Sequence, residues 1–196
     1  MNVLGISAAG APNNRSELLF NSFLDEFSES SGDVKKIFVR DLKISFCDGC
    51  RDCEKTGKCK FTDDMQVLEK AISSSVIVAV FAPIYFTSVP AKLKAVVDRC
   101  QLYWVRKNIL GTFSSSPQKG FFISVAGRNS DFSHAETIIK AFFSVFNIKF
   151  CGKFYLPNTD KLNDEQFAKA LKDVKKLSHG VAEVTEETIK KSFNSL

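Results

Sequence analysis

The sequence predicts an α/β fold built on one five-stranded parallel sheet with helices on both faces. Strand-type and helix-type patterns alternate five times along the chain. The run Val76-Ile77-Val78-Ala79-Val80-Phe81 is apolar at every position. A strand buried on both faces reads this way, whereas a half-exposed strand alternates.

Taken in order, Val3-Leu4-Gly5-Ile6 is a short buried strand, followed by a turn-rich loop from Ser7 to Asn14. Leu18, Leu19, Phe23, Leu24 and Phe27 recur at helical spacing, and the helix stops near Ser30-Ser31-Gly32. Val34 to Val39 forms the second strand, and Asp63-Asp64 caps a short helix carrying Met65, Val67, Leu68 and Ala71. After the apolar third strand, a helix from about Pro90 carries Leu93, Val96, Val97 and Cys100. Gly120 to Val125 is the fourth strand, and Ile138, Ile139, Phe142, Val145 and Phe146 mark the next helix. Lys149 to Leu156 is the fifth strand, and Phe167, Leu171, Val174 and Val181 lie on a closing helix. No repeat, low-complexity tract or linker interrupts the 196 residues. The expectation is one domain over residues 1–196 with a cysteine-rich insertion at about 45–62.

Composition narrows the function classes. The 27 basic and 22 acidic residues leave a net charge of +5, spread along the chain in short pairs such as Lys35-Lys36. A nucleic-acid binder gathers such charge into a stripe, so that class is disfavoured. The longest apolar run, Val76 to Phe86, contains Pro83 and is too short to span a bilayer. Met1 to Gly10 lacks the basic and apolar regions of a secretory signal. The expected location is the cytoplasm, where thiols stay reduced.

Ligands of parallel sheets bind beyond the carboxyl ends of the strands, which points to the loops after strands one, three and four. In the first loop, small residues from Ser7 to Gly10 let the backbone approach a ligand, and Asn13, Asn14, Arg15 and Ser16 lead into a helix N terminus. That terminus offers N–H donors and partial positive charge to a phosphate. The same residues read equally as an ordinary strand-to-helix loop with Asn14 or Ser16 as N-cap. The loop matches neither a Walker A motif nor the dinucleotide fingerprint. After the third strand, Pro83, Ile84, Tyr85, Phe86, Thr87 and Ser88 combine an aromatic pair with hydroxyls, which suits a flat, hydrogen-bonding ring. Pro83 and Pro90 stiffen this loop. Ala126, Gly127 and Arg128 supply a small polar turn after the fourth strand.

Cys47, Cys50, Cys53 and Cys59 are spaced C-x2-C-x2-C-x5-C. Three thiolates at steps of three can wrap adjacent irons of a cubane, and a turn at Gly57 can present Cys59 as the fourth. A zinc site more usually has two knuckles separated by a longer loop. A C-x-x-C dithiol or unmetallated loop thiols are the other readings. Cys100 and Cys151 read as core residues, His134 and His179 as surface or capping residues, and Lys92 and Lys94 as solvated helix positions. No side chain is nominated as a catalytic acid or base.

Together the three loops resemble the flavodoxin-like NAD(P)H-dependent FMN reductases, and within them the iron-sulfur flavoproteins. The resemblance runs from about Met1 to Cys151. It is strongest where Pro83-Ile84-Tyr85-Phe86 matches P-[VI]-Y-[FW] and Lys94-Ala95-Val96-Val97-Asp98-Arg99 matches K-A-x-x-D-R. It implies a flavodoxin-like fold, an FMN whose phosphate sits on the first loop, and a flavin ring against the loops after strands three and four. The compact cysteine motif of that branch implies one [4Fe-4S] cluster on Cys47, Cys50, Cys53 and Cys59. The implied activity is that of an oxidoreductase, with NAD(P)H or a ferredoxin-like redox protein as partner and a homodimer or homotetramer as assembly. A cluster-free NAD(P)H:FMN or quinone reductase, a non-catalytic electron carrier and a zinc-stapled binding module are the alternatives. One departure stands out. The first loop of this family usually reads S-G-S-P-R, whereas Ser7-Ala8-Ala9-Gly10-Ala11 has no arginine at position 11, leaving Arg15 as its candidate substitute.

Overall fold

Five strands lie side by side in the order β2-β1-β3-β4-β5, and every neighbouring pair is parallel. They are β1 (Asn2–Ser7), β2 (Asp33–Phe38), β3 (Ile77–Pro83), β4 (Gln118–Val125) and β5 (Ile148–Leu156). The computed structural model describes residues 1–12, 14–29 and 33–193. The expected helix stop at Ser30-Ser31-Gly32 and the side chains of His179 and Val181 lie outside the described residues. The helices are α1 (Arg15–Glu29), α2 (Asp52–Thr56), α3 (Met65–Ser73), α4 (Ala91–Arg99), α5 (Gln101–Asn108), α6 (Ser133–Val145) and α7 (Asp164–Phe193). No helix among the described residues is long and apolar enough to cross a membrane.

Side-chain alternation along the strands sorts the core into two layers. Val3, Ile77, Ala79, Phe81, Phe121 and Ile123 pack with α1 and α7 on one face. Leu4, Ile6, Val78, Val80, Ala82 and Phe122 pack with α3, α4, α5 and α6 on the other. Both faces are covered, which is why β3 is buried at all seven positions. The phenylalanines fill the layers through tilted and edge-on ring contacts, such as Phe23–Phe27 at 5.4 Å and Phe23–Phe121 at 5.8 Å.

The structure corrects several expectations. Cys151 is exposed, not core. The β4–β5 register shifts there, with Gly120 opposite Phe150 and Phe121 opposite Gly152. Cys151 is thus the extra residue of a bulge on an edge strand, flanked along the chain by the exposed Lys149 and Lys153. The helix expected from Pro90 is two helices meeting at Cys100, which is buried as expected. The second strand ends at Phe38, and Val39 opens a 3₁₀ turn over Val39–Asp41. Asp64 does not cap α3 with its side chain, whereas Asp63 Oδ1 accepts from the Met65 N–H at the helix start at 3.2 Å. Asp64 and Asp63 also accept hydrogen bonds from the backbone N–H groups of Lys43 (2.7 Å) and Ser45 (2.9 Å), tying the chain after β2 to the start of α3.

Two expected outcomes follow from the packing. A Cβ on Gly5 would fall 2.3 Å from Leu24 Cδ1 and 2.7 Å from the Phe20 ring, because α1 lies directly on β1. Gly5→Ala is therefore expected to lower the urea-unfolding free energy by about 1–3 kcal/mol, the usual cost of overpacking. On the other face, Glu136 accepts hydrogen bonds from Lys140, Lys153 and Tyr155, which hold its carboxyl down at about 2. A carboxyl lowered in the folded state contributes stability that is complete above its unfolded pKa of about 4.3 and is lost as pH falls toward the folded value. The melting-temperature gap between the native protein and Glu136→Gln is expected to close as pH drops from 5 to 2.

Candidate functional site

The ends of β1, β3 and β4 meet where the strand order reverses, and their loops form one connected shelf. Ser7 closes β1 fully buried, and its Oγ accepts from the Ala9 N–H at 3.3 Å. The Ala8 N–H donates to the Phe81 carbonyl at 2.8 Å, keeping the first loop against β3. Asn14 is the cap of α1: its Oδ1 accepts from the Glu17 N–H at 2.9 Å, and its amide donates to the Ala11 carbonyl at 3.0 Å. Ser16 stands half-buried in the first turn. Asn13 lies outside the described residues. Arg15 faces away from the loop. Its guanidinium donates to the Thr159 and Leu162 carbonyls at 3.1 and 2.8 Å, pairs with Asp164 at 3.3 Å and covers the Phe167 ring.

The loop after β3 turns tightly. Tyr85 N–H donates to the Ser88 carbonyl at 2.9 Å and Ser88 N–H to the Tyr85 carbonyl at 3.1 Å, leaving Phe86 and Thr87 as a two-residue tip. Both have positive φ, 48° and 64°. Such turns normally use Asn and Gly, because a side chain clashes in the left-handed region. Phe86 is fully exposed and Tyr85 half-exposed. A Cβ on Gly10 would lie 3.6 Å from the Tyr85 hydroxyl, so the first loop and this one adjoin. Ile84 N–H donates to the Val125 carbonyl at 2.8 Å, joining the third loop to the fourth, while Pro83 is buried at the end of β3. In the fourth loop, the Ala126 and Gly127 carbonyls accept from Thr159 and Asp160. A Cβ on Gly127 would sit 2.6 Å from Asp160 Oδ2, so this position requires glycine. Arg128 is exposed beside it.

The cysteine segment follows a different logic. Residues 39–46 run along α4: Leu42, Ile44 and Phe46 border a groove with Ala91, Lys92 and Ala95, and the Ser45 carbonyl reaches Arg99. The chain then coils through three left-handed residues, Gly49, Arg51 and Gly57, with φ of 71°, 62° and 66°. Gly57 ends α2, its N–H donating to the Cys53 carbonyl at 2.9 Å and its carbonyl accepting from Arg106 Nε at 2.6 Å. This brings Cys47, Cys50, Cys53 and Cys59 onto the wall of one cavity of 360 Å³. All six cysteines are free. Burial, with the nearby Cys50, Glu54 and Cys47 side chains adding to it, pushes the Cys53 thiol up. Among the described residues, no three of His, Cys, Asp and Glu converge on a point that would hold one metal ion.

Arg99 also lines this cavity and was not singled out by spacing or motif for any role there. A signal was available: Leu93, Val96 and Arg99 share the buried face of α4, and an arginine on such a face needs a partner. The partner is Asp63. Burial opposes the Asp63 charge, but Arg99 and the N–H groups of Ser45 and Met65 hold its carboxyl below the usual range. His134 is exposed near Asp131, and Lys92 and Lys94 reach the Arg40 carbonyl and Asp98 at the surface.

The family model described as NADPH-dependent FMN reductase matches residues 1–158. An iron-sulfur flavoprotein of Archaeoglobus fulgidus is 28% identical over 116 residues, 59% of this chain and 53% of that protein. An iron-sulfur flavoprotein of Methanocaldococcus jannaschii is 31% identical over 99 residues, 50% of this chain and 51% of that one. The chain thus spans about half the length of these curated relatives. Among solved structures, an NAD(P)H:quinone oxidoreductase from Methanothermobacter marburgensis superposes with a TM-score of 0.68 at 15% identity, covering 93% of this chain and 97% of that one. That similarity establishes the flavodoxin-like fold.

The strained tip of the third loop gives a direct test. Thr87→Gly is expected to stabilise the ligand-free protein by about 0.5–1 kcal/mol in urea denaturation, since the relief of a left-handed β-branched residue exceeds the entropy cost of glycine.

Proposed function

The chain belongs to the NADPH-dependent FMN reductase family, and from that premise we propose that it is an FMN-dependent oxidoreductase whose Cys47, Cys50, Cys53 and Cys59 hold a [4Fe-4S] cluster. The observation that carries the reading is the placement of four thiols, spread over thirteen residues, around one 360 Å³ cavity. A single zinc ion draws its ligands to about 2.3 Å from one point. A cubane holds its thiolates around a larger body, and a cavity wall suits it better than a point. The iron-sulfur flavoprotein relatives favour the same choice.

The shelf at the sheet edge suits FMN. Ser7, Asn14, Ser16 and the N-terminal amides of α1 would hold the phosphate, with Asn13 as the remaining candidate on that loop, since the Arg15 guanidinium is engaged elsewhere. Pro83, Ile84, Tyr85, Phe86, Thr87 and Ser88 would border one side of the ring, and Ala126, Gly127 and Arg128 another. The buried Pro83 and the Ile84–Val125 bond fix the floor, and the exposed aromatics of the tip would exclude water from the ring. When bound, the flavin supplies hydride and electron exchange and the cluster supplies one-electron steps. The protein contributes orientation and potential, so no acid or base side chain is required.

NAD(P)H or a ferredoxin-like redox protein is the proposed partner. Assembly into a homodimer or homotetramer belongs to the proposal for a geometric reason. The shelf adjoins the start of α4, and the cysteine cavity takes Asp98 and Arg99 from its end. Nine helical residues separate the two by about 14 Å within one chain, and a second copy can bring a cavity closer to a shelf.

The test is the visible spectrum and iron content of protein purified without oxygen. Flavin bands with a broad shoulder that bleaches on reduction, and about four irons per chain, are expected. Cys59→Ser is expected to lose most of the iron while keeping the flavin. Flavin without iron in the native protein would leave a cluster-free reductase, and neither cofactor would overturn the proposal.

A further inference from the structure

Arg99 is 3% exposed, yet its bonds account for only part of its guanidinium. Nη1 donates to Asp63 Oδ2 at 2.6 Å and to the Ser45 carbonyl at 3.0 Å, and Nη2 donates to Asp63 Oδ1 at 3.2 Å. The Phe61 ring lies 5.2 Å from the guanidinium carbon. These contacts use the two terminal nitrogens. Arg99 Nε is buried and has no acceptor among the described residues. Proteins rarely leave a buried donor of a charged group unpaired.

The residue lines the cysteine cavity and a second cavity beside α3, and Cys59 borders both. The carboxylates of the cysteine cavity are already engaged: Asp48 with Lys60, Glu54 with Arg51 at 2.9 Å, and Asp98 with Lys94 at 2.5 Å. Apart from the amide of the exposed Gln101, the acceptors that remain among the side chains of the wall are sulfur.

We propose that Arg99 is a positioning residue of the cysteine cavity, its Nε–H donating a hydrogen bond to sulfur held there, either the Cys59 thiolate or a sulfide of the cluster it would ligate. The inference rests on the cluster reading given above. The Asp63 clamp fixes the donor, and the buried cation offsets the negative charge that several thiolates bring into one pocket. A fixed donor and cation favour the form with the extra electron, so Arg99 raises the reduction potential.

The test uses Arg99→Lys, which keeps the charge and a reach to Asp63 but lacks Nε. Native-like melting and iron content are expected, with the one-electron reduction equilibrium weakened about tenfold, a fall of about 59 mV in the midpoint potential of the iron-sulfur centre. An iron-loaded, folded variant with the native potential overturns this inference and leaves the cluster reading standing. Native protein without iron overturns both. Should the lysine variant not fold, protein carrying ¹⁵N only in arginine, made in an Arg51→Lys background to silence the other arginine of the cavity wall, is reduced and examined by pulsed EPR. A nitrogen coupling to the reduced centre supports the hydrogen bond, and its absence in iron-loaded protein overturns it.

Discussion

A parallel strand cannot be followed by a hairpin, because the chain must travel back to the starting edge before the next strand begins. Here that constraint acts at every connection, and it delivers the ends of β1, β3 and β4 to the same edge with their loops in mutual contact. It also obliges the long passage from β2 to β3, residues 39–76, to cross the face occupied by α4. The cysteine segment lies within this passage. It has little core of its own, since α2 buries none of its residues. Its shape comes from three left-handed residues and from polar ties to elements that the sheet already anchors: Asp63 and Asp64, Arg99, and Arg106.

Among those ties the Asp63–Arg99 pair is the informative one. Desolvating two charges costs about what their attraction returns, so a buried ion pair is weak evidence for stability. An apolar residue at position 99 would continue the Leu93, Val96 face without any such cost. What the pair does supply is geometry. Asp63 receives N–H groups from Ser45 and Met65 as well as the guanidinium, so one carboxylate fixes the start of α3, the approach to the cysteines and the end of α4. A pocket whose thiols sit on a segment with little core of its own needs a rigid rim, and this carboxylate provides it.

The fold was legible because its signals are local and periodic. The unbroken apolar run of β3 could only be doubly covered, and the Leu19, Phe23, Leu24 and Phe27 stripe could only be one face of a helix. Leu18, read onto the same face, is exposed, and Phe20 fills the core beside them. Cys151 was misread because its neighbours look like a buried strand, while a bulge against Gly120 and Phe121 turns it outward. A bulge depends on the partner strand's register and leaves no mark on its own sequence. The break at Cys100 was invisible for a related reason: α4 and α5 contain good helix formers on both sides of it. The cysteine spacing was fully legible, whereas α2, five residues long and entered through a left-handed Arg51, carries no periodic signal.

Two arginines show where reading by position reaches its limit. Arg15 sits where an anion-binding loop enters a helix, and its location alone suggests a ligand. Its guanidinium instead joins α1 to the chain entering α7 through two carbonyls and Asp164. Arg99 sits where a helix surface should be apolar, and its location says only that it needs a partner. Yet this cavity-lining arginine keeps a buried donor, Nε, without an acceptor among the described residues. Proximity in sequence says which groups can reach a site, but a hydrogen-bond inventory says which still have capacity to act there. By that inventory, the proposed anion shelf would rest on backbone N–H groups and hydroxyls, and the guanidinium nitrogen without a partner belongs to the arginine beside the cysteines.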